Sequence, residues 1–283
     1  MKEENLTINH LIEMAIREDV GAGDHTSLAT IPTNASGKAK LLIKEEGIIA
    51  GIEVAEIVFK KIDPDVVFTP VLHDGAKVHP GDFAFIVEGK SISLLSAERL
   101  ALNFLQRMSG IATKTNQLVR LLDGLPTKLL DTRKTTPNMR IFEKEAVRIG
   151  GGNNHRFGLY DMILIKNNHV DFAGGVTKAI DASHSYLNSN GLKLDIEIEV
   201  RDFDELNEAM LVGGFKRIML DNFSVDAMRH AVMLIDHQFE TEASGGITET
   251  TLRSYAETGV DFISVGALTH HIKSLDMSLR AVI

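Results

Sequence analysis

From residue 128 onward the apolar positions repeat one pattern: a short run that reads as a strand, then a longer stretch with helical spacing. Lys128 to Asp131 precedes Met139 to Ile149, Met162 to Lys166 precedes Val176 to Leu187, and Leu194 to Val200 precedes Asp204 to Val212. Arg217 to Asp221 precedes Asp226 to Ile235, Phe239 to Ala243 precedes Glu249 to Thr258, and Phe262 to Val265 closes the series. Strands joined by helical crossovers predict a parallel sheet, either open or closed into a barrel. The first hundred residues follow another grammar. Leu11, Ile12, Ala15 and Ile16 predict a helix over Leu6 to Asp19, which Gly21, Gly23, Asp24 and Thr26 break. Lys38 to Gly51 reads as two strands around Glu45-Glu46-Gly47, and Val66 to Glu88 as further short strands with turns at Asp74-Gly75 and Pro80-Gly81-Asp82. Ser96 is placed as the N-cap of a long helix carrying Leu102, Leu105, Met108 and Ile111.

Composition narrows the class. A chain of 283 residues with 44% hydrophobic and 24% charged residues is globular and has room for one large or two ordinary domains. No apolar run is long enough for a membrane span, and the acidic start Met1-Lys2-Glu3-Glu4-Asn5 is unlike a secretory signal, so the expected location is the cytoplasm. The absence of cysteine excludes disulfides, thiolate metal sites and a Cys nucleophile. A net charge of −9 argues against binding nucleic acid through its phosphates, so an anionic substrate must find local cations.

Those cations gather at strand ends. Leu129-Leu130-Asp131-Thr132-Arg133-Lys134-Thr135-Thr136-Pro137 enters as a strand and ends with two cations among three Thr hydroxyls, a set suited to an anion with several oxygens or to a solvated turn. Lys166, Glu199, Asp221, Ser244-Gly245-Gly246 and Gly266 end later strands, where barrels of this grammar build their sites. Glu197 and Glu199 share one strand face, opposite Ile196, Ile198 and Val200. Carboxylates on a central strand need a cation or metal beside them, whereas an edge strand could leave them wet. Asp221 ends the next strand, and two such oxygen donors suit Mg²⁺. Gly150-Gly151-Gly152 follows a helix, so it is no dinucleotide fingerprint; His155 and Arg156 beyond it add to the cationic set. No His pair has zinc-site spacing, and His270-His271 is placed at a helix start. Ser244-Gly245-Gly246 and Ser264-Val265-Gly266-Ala267 come after the last two strands, where backbone N–H groups ahead of a helix can take a phosphate.

The combination of Asp131 to Pro137, Gly150-Gly151-Gly152 with Asn154-His155-Arg156, Leu164-Ile165-Lys166 with Asn168-His169, Leu220-Asp221-Asn222, Ser244-Gly245-Gly246 and Val265-Gly266-Ala267-Leu268 resembles the quinolinate phosphoribosyltransferases. Ala97-Glu98-Arg99 and Ser109 to Thr113 extend the resemblance over nearly the whole chain. It implies an α/β protein with an N-terminal α/β sandwich domain over residues 1–109 and an incomplete six-stranded parallel α/β barrel over 110–271, with the tail 272–283 returning to the first domain. It also implies a homodimer, or an assembly of dimers, with shared active sites. The implied reaction joins quinolinate to phosphoribosyl pyrophosphate, giving nicotinate mononucleotide, pyrophosphate and CO₂ in NAD biosynthesis with Mg²⁺.

The resemblance implies that Arg133, His155 and Arg156 hold the two carboxylates, with Arg99 supplied by the neighbouring subunit. Lys134 and Lys166 meet pyrophosphate and carboxylate, Glu199 and Asp221 hold Mg²⁺ directly or through water, and Ser244, Gly245, Gly246, Gly266 and Ala267 take the 5′-phosphate. Two positions depart from the family pattern: Asn138 where Gly is common, and Asn167 where an acid is usual. The competing expectations are a paralogue acting on nicotinate or another acid, including a relative associated with molybdenum transport, a silent phosphosugar-binding protein, and a barrel aldolase with Lys166 as its Schiff-base amine. The full set of Arg99, Arg133, His155 and Arg156 favours a dicarboxylate, and two acids beside the ligand speak against a mere anion binder.

Overall fold

In a computed structural model, residues 2–282 are described. Helix α1 (Lys2–Val20) ends at Gly21, whose φ of 54° only glycine adopts cheaply, and α2 (His25–Thr30) starts where the Asp24 carboxylate accepts the Ser27 N–H at 3.0 Å. Strands β1 (Ser36–Ile43) and β2 (Gly47–Ile48) flank the predicted Glu45-Glu46 turn. Next comes α3 (Ile52–Ile62), a helix the strand-like run of Ile and Val hides; its Val54, Ala55, Val58 and Phe59 are buried on one face. Strands β3 (Val67–Pro70), β4 (Lys77–Val78) and β5 (Phe83–Lys90) follow, as predicted from the glycine turns between them. Helix α4 (Ser91–Arg120) starts directly after β5, so Ser96 lies inside it and is no cap. The reason is visible in Leu94, Ala97 and Ala101, buried at helical spacing before and after Ser96.

The predicted alternation then appears: β6 (Lys128–Leu130), α5 (Arg140–Ile149), β7 (Ile163–Ile165), α6 (Asn167–Ala173), α7 (Val176–Asn190), β8 (Ile196–Val200), α8 (Phe203–Val212) and β9 (Arg217–Asp221). It continues with α9 (Val225–Ile235), β10 (Glu240–Ser244), α10 (Leu252–Ala256), β11 (Phe262–Ser264), α11 (Ala267–His270) and β12 (Met277–Ala281). His270-His271 therefore closes α11 and does not start a helix, because the chain turns helical straight after Gly266.

The chain forms two compact units. The first comprises residues 1–116, 135–151 and 268–283, so α5, which the sequence grammar pairs with β6 in the barrel, groups with the N-terminal elements. Its antiparallel sheet has the order β12-β1-β5-β3, with Leu41 opposite Leu279. Phe59, Phe68 and Phe85 cluster on it, the last two with ring centroids 4.5 Å apart. The Arg107 guanidinium ties α4 to α5 through the fully buried Glu143, at 2.8 Å, and to α11 through the Thr269 carbonyl, at 2.9 Å.

The second unit comprises residues 117–134 and 152–267. Its six strands are all parallel in the order β6-β11-β10-β9-β8-β7. Only an isolated bridge from Leu130 to Asn153 continues past β6, so the expected six-stranded barrel is incomplete between β6 and β7. Register sets its faces. Glu197 lies beside Arg217, and Arg217 beside Glu240; Glu199 lies beside Met219, Met219 beside Glu242, and Glu242 beside Phe262. Ile196, Ile198, Ile218, Leu220, Ala243 and Ile263, the alternating residues, form the opposite, buried apolar face.

Candidate active site

The polar face of the second unit's sheet opens into a cavity of about 170 Å³ lined by Thr132, Arg133, Lys134, His155, Arg156, Leu164, Lys166, Met219, Glu242, Ser244 and Ser264. Most belong to strands of the sheet or to the segments that follow them, and His155 and Arg156 lie between α5 and β7. The cations predicted from separate motifs thus face one space. Arg133 and Lys134 follow β6, and the Lys134 N–H donates to Thr132 Oγ1 at 3.1 Å to shape that turn. Asn138, farther along the loop, has φ 62°, the left-handed conformation that its family-typical glycine would adopt. Arg156 is half-buried, and its Nη1 donates to the Met162 carbonyl at 3.2 Å. Burial first, and the Arg133 cation second, push the Arg156 guanidinium below its ordinary range. A pocket that holds two such cations close together is built for an anion.

His155 is held by its neighbours. Its backbone N–H donates to the buried Asp131 carboxylate at 2.9 Å, and its ring Nδ1 accepts the Arg156 N–H at 2.6 Å. A nitrogen that accepts carries no proton, so the ring proton is assigned to Nε2. That atom lies 3.1 Å from Glu197 Oε2 and 3.6 Å from Glu242 Oε2.

Lys166, at the end of β7, places Nζ 2.8 Å from Glu199 Oε2. Its backbone N–H is accepted by His169 Nδ1 at 2.8 Å, the reach-back that starts α6. Glu199 also lies 3.3 Å from the Asn167 N–H. β8 pairs on both sides, with β7 and β9, so Glu197 and Glu199 stand on a central strand and need the cations that register supplies. Asp221 closes β9. Burial raises its carboxyl above the ordinary range, and the Glu199 charge raises it further, while Asn222 Nδ2 donates to it at 2.8 Å. A carboxylate whose ionisation a neighbouring carboxylate opposes forms with it a donor set fitted to a dication.

The glycine turns lie where expected, after β10 and β11. Gly245 has φ 94° and a Cβ there would collide with Asn222 Oδ1, so only glycine fits. Gly266 leads straight into α11 through Ala267, whereas Gly246, with φ 61°, enters an irregular stretch before α10. Arg99 sits on the exposed side of α4 in the first unit.

Several site residues have no motif to announce them. Met219 and Glu242 line the cavity, and Arg217 stands beneath it with Nη1 3.1 Å from Glu242 Oε2 and Nη2 2.9 Å from Glu240 Oε2. The available signal is charge at alternate strand positions, Glu197 and Glu199, Arg217, Glu240 and Glu242, where apolar residues would be usual. Burial pushes both the Glu197 and Glu242 carboxyls up to about 7, and for Glu242 the neighbouring Glu197 charge adds to it.

An incomplete parallel barrel with cations and a carboxylate pair at the C-terminal ends of its strands defines a class: α/β proteins that bind a polyanionic small molecule at the barrel mouth. Known proteins narrow this. The family profile "Quinolinate phosphoribosyl transferase, C-terminal domain" matches residues 111–280, and its N-terminal counterpart matches residues 24–109. The chain is 45% identical over 285 residues to a quinolinate phosphoribosyltransferase [decarboxylating] of Nicotiana tabacum, covering 95% of this chain and 81% of that protein. It is 43% identical to a probable nicotinate-nucleotide pyrophosphorylase [carboxylating] of Bacillus subtilis, covering 97% and 93% respectively. The crystal structure of NadC from Streptococcus pyogenes superposes with a TM-score of 0.92 at 40% identity, covering 98% of each chain. The chain belongs to the quinolinate phosphoribosyltransferase family.

Proposed function

We propose that the protein transfers the phosphoribosyl group of phosphoribosyl pyrophosphate to quinolinate, releasing pyrophosphate and CO₂ and giving nicotinate mononucleotide for NAD biosynthesis. The observation that carries this reading is the convergence of Arg133, Lys134, Arg156 and Lys166 on one cavity of the second unit. Quinolinate brings two carboxylates, and Arg guanidinium groups bind carboxylates through paired N–H donors. The ring nitrogen displaces pyrophosphate at ribose C1; Lys134 and Lys166 stabilise the charge that grows on the leaving group. The pyridinium so formed withdraws the electron pair left when the neighbouring carboxylate departs as CO₂, and a proton completes the carbon. Positioning and charge stabilisation suffice for this chemistry, and no side-chain nucleophile enters it. Lys166 is engaged with Glu199, an arrangement that suits a cationic role better than a Schiff base.

Glu199 and Asp221 would hold Mg²⁺, directly or through water; the ion would supply positive charge beside the pyrophosphate. The all-oxygen donor set and the effect of the Glu199 charge on Asp221 support this assignment. Ser244, Gly245, Gly246, Gly266 and Ala267 would take the 5′-phosphate. Arg99 would reach the cavity of a neighbouring copy in a homodimer or an assembly of dimers. No helix among the described residues is long and apolar enough to cross a membrane. Cytoplasmic placement is supported by the cysteine-free composition, and cell fractionation tests it.

A product assay decides the reading. With phosphoribosyl pyrophosphate and Mg²⁺, quinolinate should yield nucleotide and CO₂ in equal amounts, and nicotinate should yield neither. Turnover of nicotinate alone would discard the dicarboxylate assignment, and no product from either acid would reject the enzyme.

A further inference from the structure

Beneath the cations lies a second ionisable set that the transfer chemistry does not use. Glu197 and Glu242 are fully buried, and Arg217 is 9% exposed. Two acids without water must be compensated from inside the protein. Arg217 does this on three sides. Its Nη1 lies 3.1 Å from Glu242 Oε2 and 4.0 Å from Glu197 Oε2, its Nη2 2.9 Å from Glu240, and its guanidinium stacks 3.9 Å from the Phe262 ring centroid. The guanidinium is therefore held in one plane and one place.

The acids in turn face His155. Its Nε2 lies 3.1 Å from Glu197 Oε2 and 3.6 Å from Glu242 Oε2, and its other ring nitrogen takes the Arg156 N–H. A ring that turned would lose the Nδ1 hydrogen bond and carry Nε2 away from the acids. The backbone where it enters Arg156 is then fixed, and Arg156 is one of the two guanidinium groups that line the cavity. The links are buried: a hydrogen bond from Arg217 to Glu242, close charge contact between the acids and His155 Nε2, and a hydrogen bond from the Arg156 N–H to His155 Nδ1. The three ligand atoms of His155, Glu197 and Glu242 also lie within 4.8 Å of one another, a spacing a metal ion could span. The Arg217 guanidinium already supplies the positive charge there, which disfavours a second cation.

We infer that Arg217, Glu197 and Glu242 are positioning residues for recognition of the substrate's acid group, holding His155 with its proton on Nε2 so that Arg156 is presented to the cavity. This rests on the quinolinate reading for the identity of the acid, but the tautomer itself does not. It separates binding of the acid from binding of the phosphosugar. It also removes His155 from the set of cations that meet a carboxylate.

Two measurements test it. Imidazole ¹H–¹⁵N spectra of the full protein, with His155 assigned by its loss in His155→Gln, should show a neutral ring protonated at Nε2 at neutral pH. An Nδ1-protonated ring or a doubly protonated one would overturn the inference, whatever the substrate is. Calorimetry and kinetics then compare Glu242→Gln, Arg217→Met and the double variant. Each single change should weaken quinolinate binding at least tenfold while the KM for phosphoribosyl pyrophosphate moves less than twofold. The double change removes one charge of each sign and should recover thermal stability without recovering quinolinate affinity. Equal loss for both substrates, with both restored in the double variant, would make the set merely structural. A stoichiometric metal ion retained by the wild type and lost in Glu242→Gln would overturn the positioning role in favour of a metal site. If the wild type binds no quinolinate, the proposed function fails while the spectra still decide the tautomer.

Discussion

Glu242 illustrates how one residue can cost stability where it gives order. Its carboxyl is pushed from 4.5 to about 7 by burial and by the charge of Glu197. The folded protein therefore binds a proton that the unfolded chain releases between those values, so stability from this group is full below about 4.5 and is lost as pH rises through about 7. A carboxyl so displaced carries on the order of 3 kcal/mol. Thermal melts of the wild type should accordingly fall in Tm between pH 5 and pH 8, and Glu242→Gln should flatten that fall. An unchanged slope in the variant would show that another group holds the proton. None of this was legible in the sequence. Glu242 sits in a strand run with no motif around it, and its burial depends on Arg217 and His155, which register and a loop bring from elsewhere. Glu199 and Asp221 were legible, because each ends a run whose period places it at a strand terminus.

At the scale of elements, the turn after β10 shows how backbone conformation reaches the chemistry. Gly245 lies in the left-handed region against Asn222, whose N–H donates to the Ser244 carbonyl at 2.8 Å and whose side chain donates to Asp221. Gly245→Ala adds both strain, about 1–3 kcal/mol, and a collision with the residue that orients Asp221. The KM for phosphoribosyl pyrophosphate should rise roughly tenfold, the equivalent of about 1.4 kcal/mol, with quinolinate affinity nearly unchanged. Equal loss of both affinities would place the turn outside the phosphosugar site. The alternation of strands and helices was readable here because period and turn residues are local. The failures were non-local. Ser96 has the chemistry of a cap, but apolar packing of Leu94 and Ala97 carries α4 past it, and α3 is built from β-branched residues that propensity assigns to strands. Helix α5 follows β6 as predicted, and Arg107 and Glu143 join it to α4.

For the molecule as a whole, the proposed sharing of sites between copies places Arg99, exposed on α4, in a neighbour's cavity. Mixing inactive Arg99→Ala with inactive Lys166→Ala subunits should restore up to about a quarter of wild-type activity, since random pairing leaves one intact site in half of the dimers. No recovery after proven subunit exchange would place Arg99 in its own subunit's chemistry. The pairing of β12 with β1 has a different consequence, one of timing. Ala39 and Ala281 are register partners far apart in the chain, so the edge of β1 that β12 covers is bare until β12 leaves the ribosome. At ordinary synthesis rates that wait is roughly 10–50 s. For that interval the sheet of the first unit offers a free edge to any other nascent copy.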